Sequence, residues 1–169
     1  GAQSLVATPV HSGAYALQSA AAGLLTRTGW NMSSGRLAAR FYIRFAALPA
    51  ATVGLAHVLT VSGTLLLFRY NQATGKFNVV WNTTDSQDSA VTVAVDTWYR
   101  IDMQFVVAAD TRTCDWQVDG VDQTQSASTE AASMISGFRL GGNLAQTMTA
   151  FYDDVYLSVT DGDYPIGAG

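Results

Sequence analysis

Arg36-Leu-Ala-Ala-Arg-Phe-Tyr-Ile-Arg-Phe45 is the stretch whose reading decides the fold. Leu37, Ala39, Phe41, Ile43 and Phe45 alternate with Arg36, Ala38, Arg40, Tyr42 and Arg44. Successive side chains of an extended strand point to opposite faces, whereas a helix groups positions three and four apart. The segment therefore reads as a β-strand with one apolar and one wetter face, ended by Pro49 and the small residues after it. The same alternation returns at Tyr99, Ile101, Met103, Phe105 and Val107, set against Trp98, Arg100, Asp102 and Gln104. It returns again at Phe77, Val79 and Trp81, and at Cys114, Trp116 and Val118.

Turn residues punctuate these runs. Asn71 to Gly75 separates two apolar runs, and Asp119-Gly120 is a two-residue hairpin signal. Ser62-Gly63 is a similar break. Helical periodicity is nearly absent; Thr129 to Met134 reads as loop or a single turn. Short strands separated by frequent turns predict an all-β fold, an antiparallel two-sheet β-sandwich, over residues 1–160. The turn-rich stretch 161–169 reads as a C-terminal linker or docking tail.

Composition agrees with a folded β domain and narrows the partners. Of 169 residues, 49% are hydrophobic and only 13% charged, the opposite of the bias that keeps chains disordered. Nine scattered Lys and Arg residues and a formal net charge of -4 argue against nucleic acid as a partner. The apolar runs Val58–Val61 and Leu65–Phe68 are far too short to span a bilayer, so no membrane is expected, and no signal peptide is visible. The single cysteine, Cys114, has no internal disulfide partner and reads as a small core residue.

Four segments carry a resemblance. His11-Ser-Gly-Ala-Tyr-Ala-Leu17, Thr97-Trp-Tyr-Arg-Ile-Asp102, Trp116-Gln-Val-Asp-Gly120 and Phe151-Tyr-Asp-Asp-Val-Tyr-Leu157 come in the order seen in concanavalin-like and laminin-G-like jelly rolls, which this chain resembles over most of its length. The closing strand followed by Asp163-Tyr-Pro-Ile-Gly167 is similar to accessory domains of phage and prophage virions. The family also covers carbohydrate-binding modules and glucanases, so the fold does not itself name an activity.

Glycoside hydrolysis needs two carboxylates across the scissile bond. The retaining glucanases of this fold carry them as Glu-x-Asp-x-Glu, and the only glutamate here is Glu130, outside any such motif. His11 and His57 lie near no Gly-x-Ser-x-Gly elbow and read as structural or solvated. Glycan binding needs aromatic faces and planar hydrogen-bonding groups; Trp30, Tyr42, Arg44 and Arg69 are the candidates, with solvation of a sheet face as the plainer reading for the arginines. Asp153 shares the period of Phe151, Val155 and Leu157 and is expected to point towards the apolar side, where a bare carboxylate is costly. Amide donors from a neighbouring loop are one compensation, and a structural calcium, suggested by the resemblance to carbohydrate-binding modules, is the other.

The expectation that follows is a non-enzymatic module displayed on a phage-like virion as a capsid decoration, head fibre or tail protein. Its expected partners are other virion proteins or surface glycans, in a homo-oligomer, at the virion surface or outside the cell. The alternatives are a carbohydrate-binding module of a secreted protein and, third, a glycoside hydrolase-like domain.

Overall fold

The computed structural model describes residues 3–20, 25–61, 63–81, 85–108, 111–128, 134–142, 148–160 and 163–164. In chain order the strands are β1 (Gln3–Val6), β2 (Ala16–Ala20), β3 (Leu25–Met32), β4 (Gly35–Ala47), β5 (Val53–Thr60), β6 (Gly63–Asn71) and β7 (Lys76–Trp81). They continue with β8 (Asp85–Thr92), β9 (Tyr99–Val107), β10 (Arg112–Val118), β11 (Val121–Asp122), β12 (Ser126–Ser128), β13 (Ile135–Leu140) and β14 (Thr149–Ser158). The first sheet runs β1-β2-β14-β4-β9-β10-β11, with β12 paired to β10; the second runs β3-β13-β5-β6-β7-β8. All pairings are antiparallel, and the two sheets form a sandwich. Among the described residues no helix is long and apolar enough to cross a membrane.

The alternation in β4 sets the frame. Leu37, Ala39, Phe41, Ile43 and Phe45 are all fully buried between the sheets, in one cluster with Ile101, Met103 and Phe105 of β9 and Cys114 and Trp116 of β10. The second sheet answers with Phe68, Phe77, Val79 and Trp81. Phe68 stacks on Phe77 at 5.3 Å and meets Phe41 and Trp116 edge-on at 5.8 and 6.0 Å. Tyr152 on β14 donates its hydroxyl across the gap to the Leu55 carbonyl at 3.1 Å, which ties the closing strand to the opposite sheet. The predicted hairpins form as read: Gly75 donates to the Asn71 carbonyl at 2.8 Å between β6 and β7. Asp119 and Gly120 both adopt positive φ between the partners Val118 and Val121, the geometry of a tight two-residue turn.

Gly137 shows where backbone itself sets the packing. A Cβ at this position in β13 would overlap the Arg27 carbonyl oxygen and lie 3.2 Å from the Thr28 Cα, both on the neighbouring β3. Neither atom belongs to a flexible side-chain end. Gly137→Ala is therefore expected to push β3 off its neighbour and to cost about 1–3 kcal/mol, as overpacking does. Denaturant titration checks the cost, and faster amide exchange confined to β3 checks the mechanism.

Two sequence readings are corrected here. Asp153 does not face the core. Ala150 and Tyr152 are the inward residues of β14, while Phe151 and Asp153 pair with Arg44 and Tyr42 on the outer face of the first sheet. A bulge between Asp153 and Tyr156, with Asp154 at φ 47, then resets the phase so that Leu157 turns in. An extra residue shifts every later side chain to the other face, which simple alternation misses. The second correction concerns the wetter face of β4, where Arg40 is buried at 8% exposure and Asp102 opposite it at 0%. The loop or turn expected at Thr129 to Met134 lies almost wholly outside the described residues, as does most of the 161–169 tail.

Candidate functional site

The sandwich has two outer faces, and they differ in what lies on them. Segments of the chain itself cover the first sheet. The His11 ring stacks on Tyr42 at 3.6 Å and meets Trp98 edge-on at 5.9 Å. Asp153 Oδ2 accepts the His11 and Ser12 amides at 2.7 and 3.1 Å, and its Oδ1 accepts the Asp154 amide at 2.8 Å. Asp154 takes the Ser12 hydroxyl at 2.5 Å and His11 Nδ1 at 2.8 Å. Burial works against ionisation of Asp154, but these bonds and the His11 ring outweigh it and hold the carboxyl below its usual range. Further along, Asp102 pairs with Arg40 at 2.7 Å and with Arg100 at 2.9 Å. At the end of β14, Ser158 donates to Asp163, and the half-buried Tyr164 phenol is pushed up by burial first, then by Cys114 and by the carboxylates of Asp115, Asp122 and Asp102.

On the second sheet a row of polar side chains lies on the outer face, with Asn78 and His57 fully buried among them. Arg69, Asn78 and Asp88 are register partners across β6, β7 and β8. Arg69 Nε donates to Asn78 Oδ1 at 2.7 Å, and Asn78 Nδ2 donates to Asp88 Oδ1 at 2.6 Å and to Ser86 Oγ at 2.9 Å. Asn78, the middle member of this row, is fully buried. Burial raises the Asp88 pKa, but hydrogen bonds from Asn71, Thr74 and Asn78 and the charge of Lys76 bring it below the ordinary carboxylate value. Asp88 is thus held ionised, and the row is an oriented set of donors and acceptors.

One step along the sheet, Arg139 of β13 is the register partner of His57 of β5. Phe138 and Leu140 point into the core, so Arg139 points out. Arg139 Nε is buried and makes no hydrogen bond with a described residue, and the fully buried His57 ring lies by the Gly141 backbone. His57 Nδ1 faces Thr64 Oγ1 at 3.4 Å. Gly54 leaves the space: a Cβ there would come within 2.9 Å of His57 Nε2 and 2.7 Å of Leu67 Cδ1.

Burial, reinforced by the Arg139 charge and opposed by the Gly141 backbone, lowers the His57 pKa from 6.5 to about 4. The imidazole is therefore neutral at pH 7. Between those two values the unfolded chain binds the proton and the folded one does not, so stability rises with pH through this window and falls as pH drops from 6.5 to about 4. The full difference is at most about 3 kcal/mol. His57→Gln is expected to flatten the pH dependence of the melting midpoint in that range; an unchanged slope would refute the assignment.

The glycan candidates do not form one site. Tyr42 and Arg44 sit on the outer face of the first sheet, Tyr42 under His11 and Arg44 paired with Asp96 at 2.6 Å and over the Phe151 ring at 5.6 Å. Arg69 lies on the opposite side of the molecule, in the polar row of the second sheet. Trp30 is at that sheet's edge on β3. Amide donors surround Asp153, and among the described residues no three His, Cys, Asp or Glu side chains gather closely enough to hold a metal ion. Arg139, Asn78 and Asp88 escaped the sequence reading, and His57 was read as structural. A lone arginine between the buried Phe138 and Leu140 was the available signal.

This arrangement defines a concanavalin-like, jelly-roll β-sandwich with a polar outer face on one sheet. No protein-family model matches the chain, and no curated protein sequence does. Solved structures do. An alginate lyase of polysaccharide lyase family 7 superposes with a TM-score of 0.65 at 10% identity, covering 88% of this chain and 80% of that one. The Trypanosoma rangeli sialidase gives 0.64 at 13% identity over 84% of this chain, which spans 25% of the sialidase's length. Another sialidase gives 0.65 at 15% identity, with 94% of this chain on 16% of that one.

At such identities the likeness shows the fold. It also corrects the expectation of a non-enzymatic virion accessory module, because an alginate lyase has the same sandwich over 80% of its own length, and the two sialidases share it over a quarter or less of theirs. The lack of one glucanase motif does not remove other chemistries from a scaffold that hosts several, and the virion reading rests on the short Asp163–Gly167 motif.

Proposed function

We propose that this chain is a carbohydrate-active domain that takes a carboxylated polysaccharide along the outer face of its second sheet. The observation that carries the reading is the adjacent pair Arg139 and His57 on that face: Arg139 Nε is buried with no described hydrogen-bond partner, and the buried, neutral imidazole lies directly across the β5–β13 pairing from it. A buried donor without a partner costs about 1–3 kcal/mol, and a ligand oxygen would relieve that cost. The Arg69–Asn78–Asp88 row beside it offers hydrogen bonds fixed in advance. The structural likenesses support the ligand class: one is an alginate lyase matched over 80% of its length, and a sialidase in which a quarter of the chain has this sandwich is held with a sialic acid derivative, both sugars that bear carboxylates.

The pair also has the electrostatics of β-elimination. A guanidinium on the sugar carboxylate acidifies the neighbouring C–H. A neutral imidazole accepts that proton as the glycosidic C–O bond breaks, the electron pair of the C–H bond becomes the new double bond, and the departing oxygen takes its proton from the imidazolium so formed or from water. Incubation with a polyuronate is expected to produce the ultraviolet absorbance of an unsaturated sugar acid. His57→Gln is expected to lower that rate by about a hundredfold or more. Arg139→Ala is expected to weaken polyuronate binding by about tenfold or more, as loss of a charge-assisted pair does. No product and no measurable binding to any polyuronate would overturn the reading.

A further inference from the structure

A second recess lies at the open edge of the sandwich. Among the described residues, β2 pairs with β14 only as far as Tyr152, and after the bulge the end of β14 pairs on one side only, with β4. β3, the edge strand of the second sheet, stands across from that end. Two cavities open between them, of about 410 and 520 Å³, within the size range of small-ligand pockets. Trp30 and Val159 line both, so the two cavities adjoin and are treated together as one groove. Trp30 is half-buried and packs against the core, and Val155 and Leu157 make an aliphatic wall beside it. Arg27 lines one cavity and Arg36 the other, and no carboxylate is among the described lining residues.

We infer that this groove is a separate binding site for a short acidic saccharide. The indole and aliphatic wall match the apolar face of a sugar ring, and the Arg27 guanidinium complements its carboxylate. Gly29 and Gly35 lie in the lining at φ +95 and +116, and a Cβ at Gly29 would meet nothing within 4 Å, so the groove is open above that backbone. An added peptide strand fits less well, because the positive φ of Gly29 interrupts the extended backbone of β3 in mid-strand. The inference rests on the carbohydrate reading above for its ligand class and on different residues for its site.

Titration of the full chain with an oligomannuronate, followed by calorimetry and by the indole N–H resonance of Trp30, tests it; neutral mannan oligosaccharide is the control. The Trp30 resonance is expected to shift with the acidic sugar only. Trp30→Ala is expected to weaken this binding about tenfold or more, as truncation of an aromatic anchor does. Arg27→Gln, which keeps the indole, is expected to weaken it less and to abolish the preference for the acidic sugar. An Arg69→Ala, Arg139→Ala double variant is expected to leave the Trp30 shift intact. An unmoved Trp30 resonance, or unchanged binding in both groove variants, overturns the groove proposal while leaving the second-sheet reading standing. Binding that survives the double variant in full and vanishes with Trp30→Ala supports the groove and removes the sheet-face site.

Discussion

Truncating Phe68 to alanine is expected to destabilise the domain by about 3–5 kcal/mol, the cost of a cavity at a fully buried aromatic. Phe68 belongs to the second sheet, yet two of its ring partners, Phe41 and Trp116, belong to the first. Its removal opens the seam between the sheets, where the pleated backbones on either side are held by their own ladders and collapse poorly into the space. For a chain of this length each kcal/mol lowers the melting midpoint by about 2–4 °C, so a fall of roughly 6–20 °C is expected. Phe151→Ala is the matched control: that ring lies on the outer face against Arg44, outside the core cluster. A smaller loss for Phe68→Ala than for Phe151→Ala would mean that the sheets are not joined through Phe68.

Asp102→Ala is expected to follow, at about 3 kcal/mol. Its carboxylate is fully buried between Arg40, whose side chain is 10% exposed, and Arg100, at 25%. Removing one member of a buried pair strands the other charge at a cost of about 3–5 kcal/mol, and the lower figure applies because Arg100 still reaches water. Asp102→Asn keeps the shape and some hydrogen bonding but not the charge, and is expected to fall between. A denaturant midpoint for Asp102→Ala within error of the parent would show that solvent reaches these arginines in the folded state.

Much of the fold was legible because its signals are local. The period of two in β4 and β9 needs only neighbouring side chains, and the Asp119-Gly120 turn needs only the φ preferences of two residues. β8 was missed for an equally physical reason. Asp85-Ser-Gln-Asp-Ser-Ala-Val-Thr92 is a polar edge strand, held by its pairing to β7 and by side-chain bonds from Asn71 and Asn78 to Asp88. Its own composition does not announce a strand. Asp153 was assigned to the wrong face because strand phase is counted from one end, and the bulge at Asp154 lies in the middle.

The candidate site was the least legible part. Trp30, Tyr42, Arg44 and Arg69 have the chemistry of sugar binding, but type alone does not place a side chain on a shared surface. The structure separates them and brings together Arg139 and His57, which are distant in the chain but neighbours across the β5–β13 pairing. By itself the sequence determined an all-β sandwich, its hairpins and most of its core, because alternation and turn chemistry act between adjacent residues. Only the tertiary structure decided which outer face the chain covers with its own segments, which way Asp153 points, and which histidine stands neutral beside an arginine. Those outcomes depend on strand order, on a bulge and on burial, and these are set by partners far away along the chain.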